Sequence, residues 1–169
     1  MVEEAEARGE LRPGMTVVEY TGGSTGSSLA FVCAVKGYRF RVVSSDAFAR
    51  EKLDTMRAFG AELEIEPSLG GAITPDLIPR MVARARAIAA EPASYFTDQC
   101  RNSDSLTGYR RIGEELLKQL DDVSAFCAGV GTAGMLMGVA RALRDGGRNT
   151  RIVALEPASS PVISRSYVP

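Results

Sequence analysis

Residues 123–141 constrain this chain most: an apolar run rich in β-formers meets a glycine-rich turn, and a helical pattern begins at once. Residues 123–128 read as a buried strand and residues 135–143 as a helix. Between them Gly129, Gly131 and Gly134 let the backbone turn sharply and approach a ligand closely. Thr132 supplies a hydroxyl, and the free N–H groups of the first helical turn make an anion site, most often used for phosphate. A tight strand-to-helix turn without a ligand has the same pattern; a phosphate-bearing cofactor is the favoured reading.

The rest of the chain repeats that unit. Strands are expected at 16–20, 40–43, 62–66, 94–97 and 151–156. Helices are expected at 2–9, 27–36, 47–59 and 75–90, with another capped by Ser103 or Asp104 and running through Ile112, Leu116 and Leu117. Leu53, Met56 and Phe59 should form one buried face, and Ile78, Met81, Val82, Ala85 and Ile88 another. Such alternation implies an α/β fold of three layers, a mostly parallel sheet with helices on both faces. Ligands in such sheets sit at the carboxyl ends of the strands. The glycine turns after Tyr20 and Ala128 both lie there, and are expected to face one cleft.

Composition removes several chemistries. The chain has no histidine, which excludes Ser-His and Cys-His catalysis and histidine-ligated metals. A formal net charge of -1 gives no basic field for nucleic acid. Cys33 and Cys127 lie in apolar runs and read as core thiols, whereas Cys100 lies in a polar stretch. No disulfide framework is implied, which suits the cytoplasm. No apolar stretch is long enough to span a bilayer, and the acidic start differs from a signal peptide, so a soluble intracellular protein is expected.

The first glycine turn is Thr21, Gly22, Gly23, Ser24, Thr25 and Gly26. It is not a Walker loop, because no lysine precedes the hydroxyl residues. Its N–H groups suit a carboxylate or phosphate, and its Ser and Thr also suit a plain helix cap. The second turn fits GxGxxG, and Glu156 ends the next strand about where a dinucleotide fold places its ribose-binding acid. A dinucleotide-binding half-domain using Gly129, Gly131, Gly134 and Glu156 is therefore an alternative. Against it, the motif follows at least four strands rather than opening the fold.

Five stretches occur in one order: 19–26 (Glu-Tyr-Thr-Gly-Gly-Ser-Thr-Gly), 52–62 ending in Gly60-Ala61-Glu62, 99–102, 129–138, and 153–157 (Val-Ala-Leu-Glu-Pro). Together they resemble the cysteine synthase (O-acetylserine sulfhydrylase) and cystathionine β-synthase family, pyridoxal-phosphate enzymes of the tryptophan synthase β-like fold. The resemblance covers nearly the whole chain. It implies a cytoplasmic homodimer of cysteine biosynthesis, acting on a small amino acid by β-replacement or β-elimination at an O-activated serine. Thr21, Gly22, Gly23, Ser24 and Thr25 resemble the loop that binds the substrate carboxylate, and Gln99 the glutamine beside it. Ser24 stands where the family has asparagine beside the cofactor's phenolic oxygen. Gly129 and the loop Gly131, Thr132, Ala133, Gly134 and Met135 resemble the cofactor-phosphate site. There Ala133 replaces a glycine and Met135 a threonine.

The resemblance also implies residues this chain does not show. The family's Schiff-base lysine lies upstream of the segment matching residues 2–20, and its pyridine-nitrogen partner lies beyond Pro169. Lys36, Lys52 and Lys118 are the only lysines, and each reads as a surface residue. No catalytic residue is assigned, and a truncated member inactive alone is expected. Residues 1–128 would be mostly the small mobile substrate-loop subdomain, and 129–169 part of the large cofactor-phosphate subdomain. A non-catalytic module that binds a carboxylate or other anion is a further alternative.

Overall fold

The computed structural model describes residues 1–159 and 161–164. Two compact units divide between Gln99 and Cys100. The division expected at 128/129 is a different cut: it groups the helix before residue 120 with the earlier strands, whereas that helix packs on the one after the second glycine turn.

The unit Val2–Gln99 is a parallel sheet in the order β3-β2-β1-β4. Its strands are β1 (Thr16–Tyr20), β2 (Arg39–Ser45), β3 (Glu62–Glu66) and β4 (Ser94–Phe96). Helices α1 (Val2–Ala7), α2 (Ser24–Lys36) and α3 (Arg50–Ala58) precede or link the first three, and α4 (Leu77–Ala89) crosses to β4. Strand alternation separates two cores. Val17 and Val42 pack with Val2, Ala5, Leu29, Cys33, Leu53 and Met56 of α1, α2 and α3. Val18 and Val43 pack with Leu77, Met81, Ala85 and Ile88 of α4. Helices therefore cover both faces, as the alternating pattern requires. The central strand β1 carries an almost uninterrupted buried run, as expected of parallel sheets covered on both sides. The edge strand β3 instead carries glutamates, of which Glu64 pairs with Arg41 and Arg84 at 2.7 and 2.6 Å.

Several boundaries moved for local reasons. Helix α3 begins at Arg50 rather than 47, because Ser45 Oγ accepts the Ala47 N–H and its carbonyl accepts the Phe48 N–H, making a turn there. Helix α4 begins at Leu77, with Pro79 in its first turn, where the missing N–H would have no intrahelical partner anyway. Its buried stripe starts at Leu77, and Ile78 is turned to solvent. Phe59 also lies largely outside the core, edge-on to Phe31 with ring centroids 5.5 Å apart.

The second unit holds α5 (Asp104–Gln119), β5 (Ala125–Gly129), α6 (Gly134–Asp145) and β6 (Arg151–Leu155). Strands β5 and β6 pair in parallel, with Ala125 opposite Arg151 and Gly129 opposite Leu155. Helix α6 packs on both strands and on α5. Ala128 is buried, whereas Cys127, on the alternate side of β5, is exposed. The core-thiol reading of Cys127 thus fails: β5 buries Ala128 on the side where α6 packs, and Cys127 points the other way. Cys33 is a core thiol, and burial pushes it up to about 12. No described helix is long and apolar enough to cross a membrane.

Candidate functional site: two glycine loops at strand ends

The first loop leaves β1 at its carboxyl end. The Thr21 N–H still donates to the Val43 carbonyl at 3.0 Å, so the turn begins on the sheet ladder. Thr21 is buried, and its Oγ1 accepts the Gly23 N–H at 3.2 Å. Gly22 passes so close to Phe48 that a Cβ there would run into the ring. Gly26 lies against Met56 and Thr21, whose atoms a Cβ would meet at 2.6 and 2.7 Å. The glycines thus press the loop down on the sheet end. Helix α2 begins at Ser24, three residues earlier than the periodicity predicts, and no side chain caps it. The plain-cap reading of its Ser and Thr therefore has no bond behind it. The N–H groups of Ser24 and Thr25 belong to a helix N-terminus with its partial positive charge outward. Ser24 is exposed and Thr25 half-buried. Ser27 Oγ and Ser44 Oγ are shut off from solvent with no hydrogen-bond partner among the described residues.

Gln99 follows β4, which lies beside β1. Its side-chain Nε2 donates to the Tyr20 carbonyl at 3.3 Å, and its backbone N–H donates to Glu19 Oε2 at 2.9 Å. The structure thus brings Gln99 to the root of the first loop. Beside that root stands a further polar residue, Glu19. Glu19 is fully buried in β1, its carboxyl taking further hydrogen bonds from Thr97 Oγ1 at 2.7 Å and the Tyr20 N–H at 2.9 Å. Burial pushes its carboxyl up to about 7, against the pull of these donors. The available signal was a charged residue inside the buried run Thr-Val-Val-Glu-Tyr.

The second loop leaves β5. The Val130 N–H donates to the Leu155 carbonyl at 2.9 Å, extending the ladder one residue past Gly129. Gly131 and Thr132 are exposed, and Gly129 and Gly131 have open space where a side chain would be. Helix α6 begins at Gly134, again with no side-chain cap. Met135 is half-buried, and Gly134 packs against Tyr109 and Ser105 of α5. Ala133 sits in the left-handed region at φ +62°, strained for a residue with a Cβ. Ala133→Gly is expected to raise the stability of this unit by up to about 1 kcal/mol, the strain relieved less the added chain entropy. Urea unfolding checks this, and an unchanged midpoint would contradict the strain.

The helix cap expected from Ser103 or Asp104 comes instead from Asn102, whose Oδ1 accepts the Asp104 N–H at 2.9 Å. Glu156 is engaged by its own chain: its two oxygens accept the N–H groups of Ile163 and Ser164, both at 2.8 Å. The Ser164 side chain, together with these backbone N–H groups, holds it below the usual carboxylate range. Each oxygen keeps a second acceptor site, and these bonds tie the end of β6 to the turn that follows it. No group of three or more Cys, Asp or Glu among the described residues could hold a metal.

A parallel α/β sheet with two glycine loops, each at a strand's carboxyl end and each feeding an uncapped helix, defines the class: an α/β protein with two candidate anion sites. Residues 1–168 match the pyridoxal-phosphate dependent enzyme family, and the chain belongs to it. It is 36% identical over 167 residues to a cysteine synthase of Staphylococcus aureus (strain Mu50 / ATCC 700699), covering 97% of this chain and 52% of that protein. It is 37% identical over 162 residues to the cystathionine beta-synthase of Oryctolagus cuniculus, covering 95% of this chain and 29% of that one. The crystal structure of an O-ureido-L-serine synthase superposes with a TM-score of 0.87 at 32% identity, covering 99% of this chain and 52% of that one. The chain thus spans about half the length of the cysteine synthase it matches. The fold is that of tryptophan synthase β-like enzymes, as the sequence resemblance implies.

The family's cofactor is pyridoxal phosphate, and its two ends fit this chain differently. The phosphate end fits: Gly131, Thr132, Gly134 and Met135 offer N–H groups and a hydroxyl at an uncapped helix start, with the Ala133 Cβ narrowing the cradle. The aldehyde end needs an amine, and no lysine lies on either loop. Lys36 is in the last turn of α2, paired with Glu6 at 2.7 Å; Lys118 is in the last turn of α5, and Lys52 lies on α3.

Proposed function

We propose that this chain carries the substrate-carboxylate and cofactor-phosphate portions of a cysteine-synthase-like enzyme, and that alone it does not catalyse β-replacement. The unit Val2–Gln99 corresponds to the family's small substrate-loop subdomain, and the unit from Cys100 to part of its cofactor-phosphate subdomain. The substrate is a small O-activated serine of the kind used in cysteine biosynthesis, and the working protein is a cytoplasmic homodimer. The observation that supports this reading most is the tie between Gln99 and the first loop. A glutamine amide and an uncapped helix N-terminus stand together at one strand end. A carboxylate there would accept hydrogen bonds from the N–H groups at Ser24 and Thr25 and from the Thr25 hydroxyl, with the helix dipole favouring its charge.

Bound pyridoxal phosphate would supply an electron sink for charge developing at the substrate's α-carbon. The chain's own part is to orient that substrate by its carboxylate and to anchor the phosphate. Neither loop offers a base for the α-proton, since Lys36, Lys52 and Lys118 all lie on helices away from them in sequence. Those lysine placements and the Ala133 Cβ favour, as a second reading, a module that binds carboxylate or phosphate without catalysis.

The test is to titrate the purified chain with pyridoxal phosphate, follow its absorbance, treat with borohydride and map any modified lysine by mass. Saturable binding displaced by inorganic phosphate, no stoichiometrically trapped lysine, and no cysteine from O-acetyl-L-serine plus sulfide are expected. Cysteine formation would overturn the claim of inactivity. Failure to bind either pyridoxal phosphate or phosphate would overturn the phosphate-loop assignment.

A further inference from the structure

We propose that Glu19 is a positioning residue: its buried carboxyl latches the turn after β4 to the root of the first glycine loop, and so sets where Gln99 stands. The proposal rests on the substrate-loop reading above only for its consequence on binding. The geometry of the latch is independent of any ligand. Glu19 on β1 and Thr97 just past the end of β4 stand side by side, one residue beyond the last registered pair, Val18 and Phe96. One carboxyl thereby receives Thr97 Oγ1 and the Gln99 N–H on Oε2 and the Tyr20 N–H on Oε1. Glu19 is the last residue but one of β1, and Tyr20 leads directly into Thr21. Moving this carboxyl would therefore disturb the ends of both strands together.

A buried carboxyl suits this task better than an amide. Its two oxygens accept bonds from three donors on two segments, whereas glutamine would turn an NH2 toward one of them. The donors also respond to its proton. Thr97 Oγ1 stands 2.7 Å from Glu19 Oε2 and 3.1 Å from the Val18 carbonyl. Its single proton can serve only one of them. When Glu19 is ionised, Thr97 donates to it; when Glu19 is protonated, the carboxyl proton fills the short contact and Thr97 turns to Val18. The charged group acting on Glu19 is Asp98, in the same turn. Helices α2 and α3 pack on the sheet face that Glu19 shares with Val17 and Val42. From them that core presents Leu29, Leu53, Met56 and Cys33, the last neutral because its thiol is pushed up to about 12.

The test uses the full 169-residue chain labelled with 15N, without ligand and then with O-acetyl-L-serine. The amide signals of Tyr20 and Gln99 are expected to move with pH at one common midpoint, and Glu19→Gln should abolish that movement and shift the Gln99 side-chain amide. Thr97→Val keeps the side-chain shape and removes a donor to the charged form, so the common midpoint should rise. The shared midpoint tests the latch itself, and the binding measurement separates positioning from a merely structural role. If the two amides titrate separately, or Thr97→Val leaves the midpoint unmoved, the latch is overturned. With O-acetyl-L-serine, Glu19→Gln should weaken binding about tenfold, through signals of residues 21–25 and Gln99. Equal binding by both proteins would overturn the positioning role. Shared titration with no binding by the unaltered chain would leave the latch standing and overturn the substrate-loop reading.

Discussion

Folding stability of the unit Val2–Gln99 is expected to fall by about 3 kcal/mol between about pH 5 and pH 8, and Glu19→Gln should remove most of that fall. The carboxyl of Glu19 is raised from 4.5 to about 7 in the folded chain, chiefly by burial. Between those values the folded chain keeps a proton that the unfolded chain has lost. The folded state then binds more protons, so stability decreases as pH rises, by about 1.4 kcal/mol per unit. Below 4.5 both states are protonated and the contribution is constant; above about 7 both are ionised and the loss is complete. Other carboxylates act in the opposite sense at lower pH. Glu6, Glu64, Asp46 and Asp76 are held below their ordinary values by hydrogen bonds or arginine partners, so their stabilisation is lost as pH falls through that range. Stability should therefore peak near about pH 5, at the acidic edge of the usual range. The measurement is urea unfolding at several pH values. With no histidine in the chain, little else titrates in this window. A flat profile from pH 5 to 8 in the unaltered chain would contradict the buried-carboxyl account.

The same residue marks where the sequence was legible and where it was not. Strands β1 and β3 have the expected ends, because β-branched runs and alternation are read within a few residues. The α/β class followed from the alternation of elements, and both glycine loops stand at strand ends as that class demands. The start of α2 was missed because Ser24, Thr25 and Gly26 have the composition of a loop, yet they form the helix's first turn, where such residues are tolerated. Phe59 and Ile78 fit a periodic face, but periodicity does not say which flank of a stripe the core reaches. Cys127 was misplaced because its exposure depends on what covers the second face of the β5–β6 pair, a matter no local pattern contains. Glu19 depends on distant residues most of all. Its position in the first motif was visible, but its role depends on Thr97 and Gln99, nearly eighty residues away in the chain. The left-handed backbone at Ala133 was likewise hidden, although the resemblance had marked that position as one where the family carries glycine.

Replacing both Gly113 and Gly138 by alanine is expected to destabilise the second unit by about 3 kcal/mol or more, through overpacking where two helices touch. Helix α5 approaches α6 through these residues. A Cβ at Gly138 would lie 2.7 Å from Tyr109 Cβ and 3.0 Å from the Leu106 carbonyl oxygen. A Cβ at Gly113 would lie 2.5 Å from Ala142 Cβ and 3.0 Å from the Val139 carbonyl oxygen. The obstacles are backbone atoms and Cβ atoms rather than flexible tips, so the helices must separate. Separation costs more here than in a large core, because β5 and β6 form only a two-stranded sheet and the α5–α6 contact is the unit's most extensive. The two substitutions should couple: once one alanine has parted the helices, the second meets less resistance, so the pair costs less than the sum. Gly108 on the same helix supplies the control. It has open space around it, so Gly108→Ala should stabilise the unit by up to about 1 kcal/mol through helix propensity alone. Amide hydrogen exchange in α5 and α6 would resolve the three proteins. Faster exchange is expected in the double variant, reaching the Gly131–Gly134 turn because Gly134 rests on Tyr109 and Ser105 of α5. If the double variant exchanged no faster than the unaltered chain, the close helix crossing would not be what holds the second glycine loop in place.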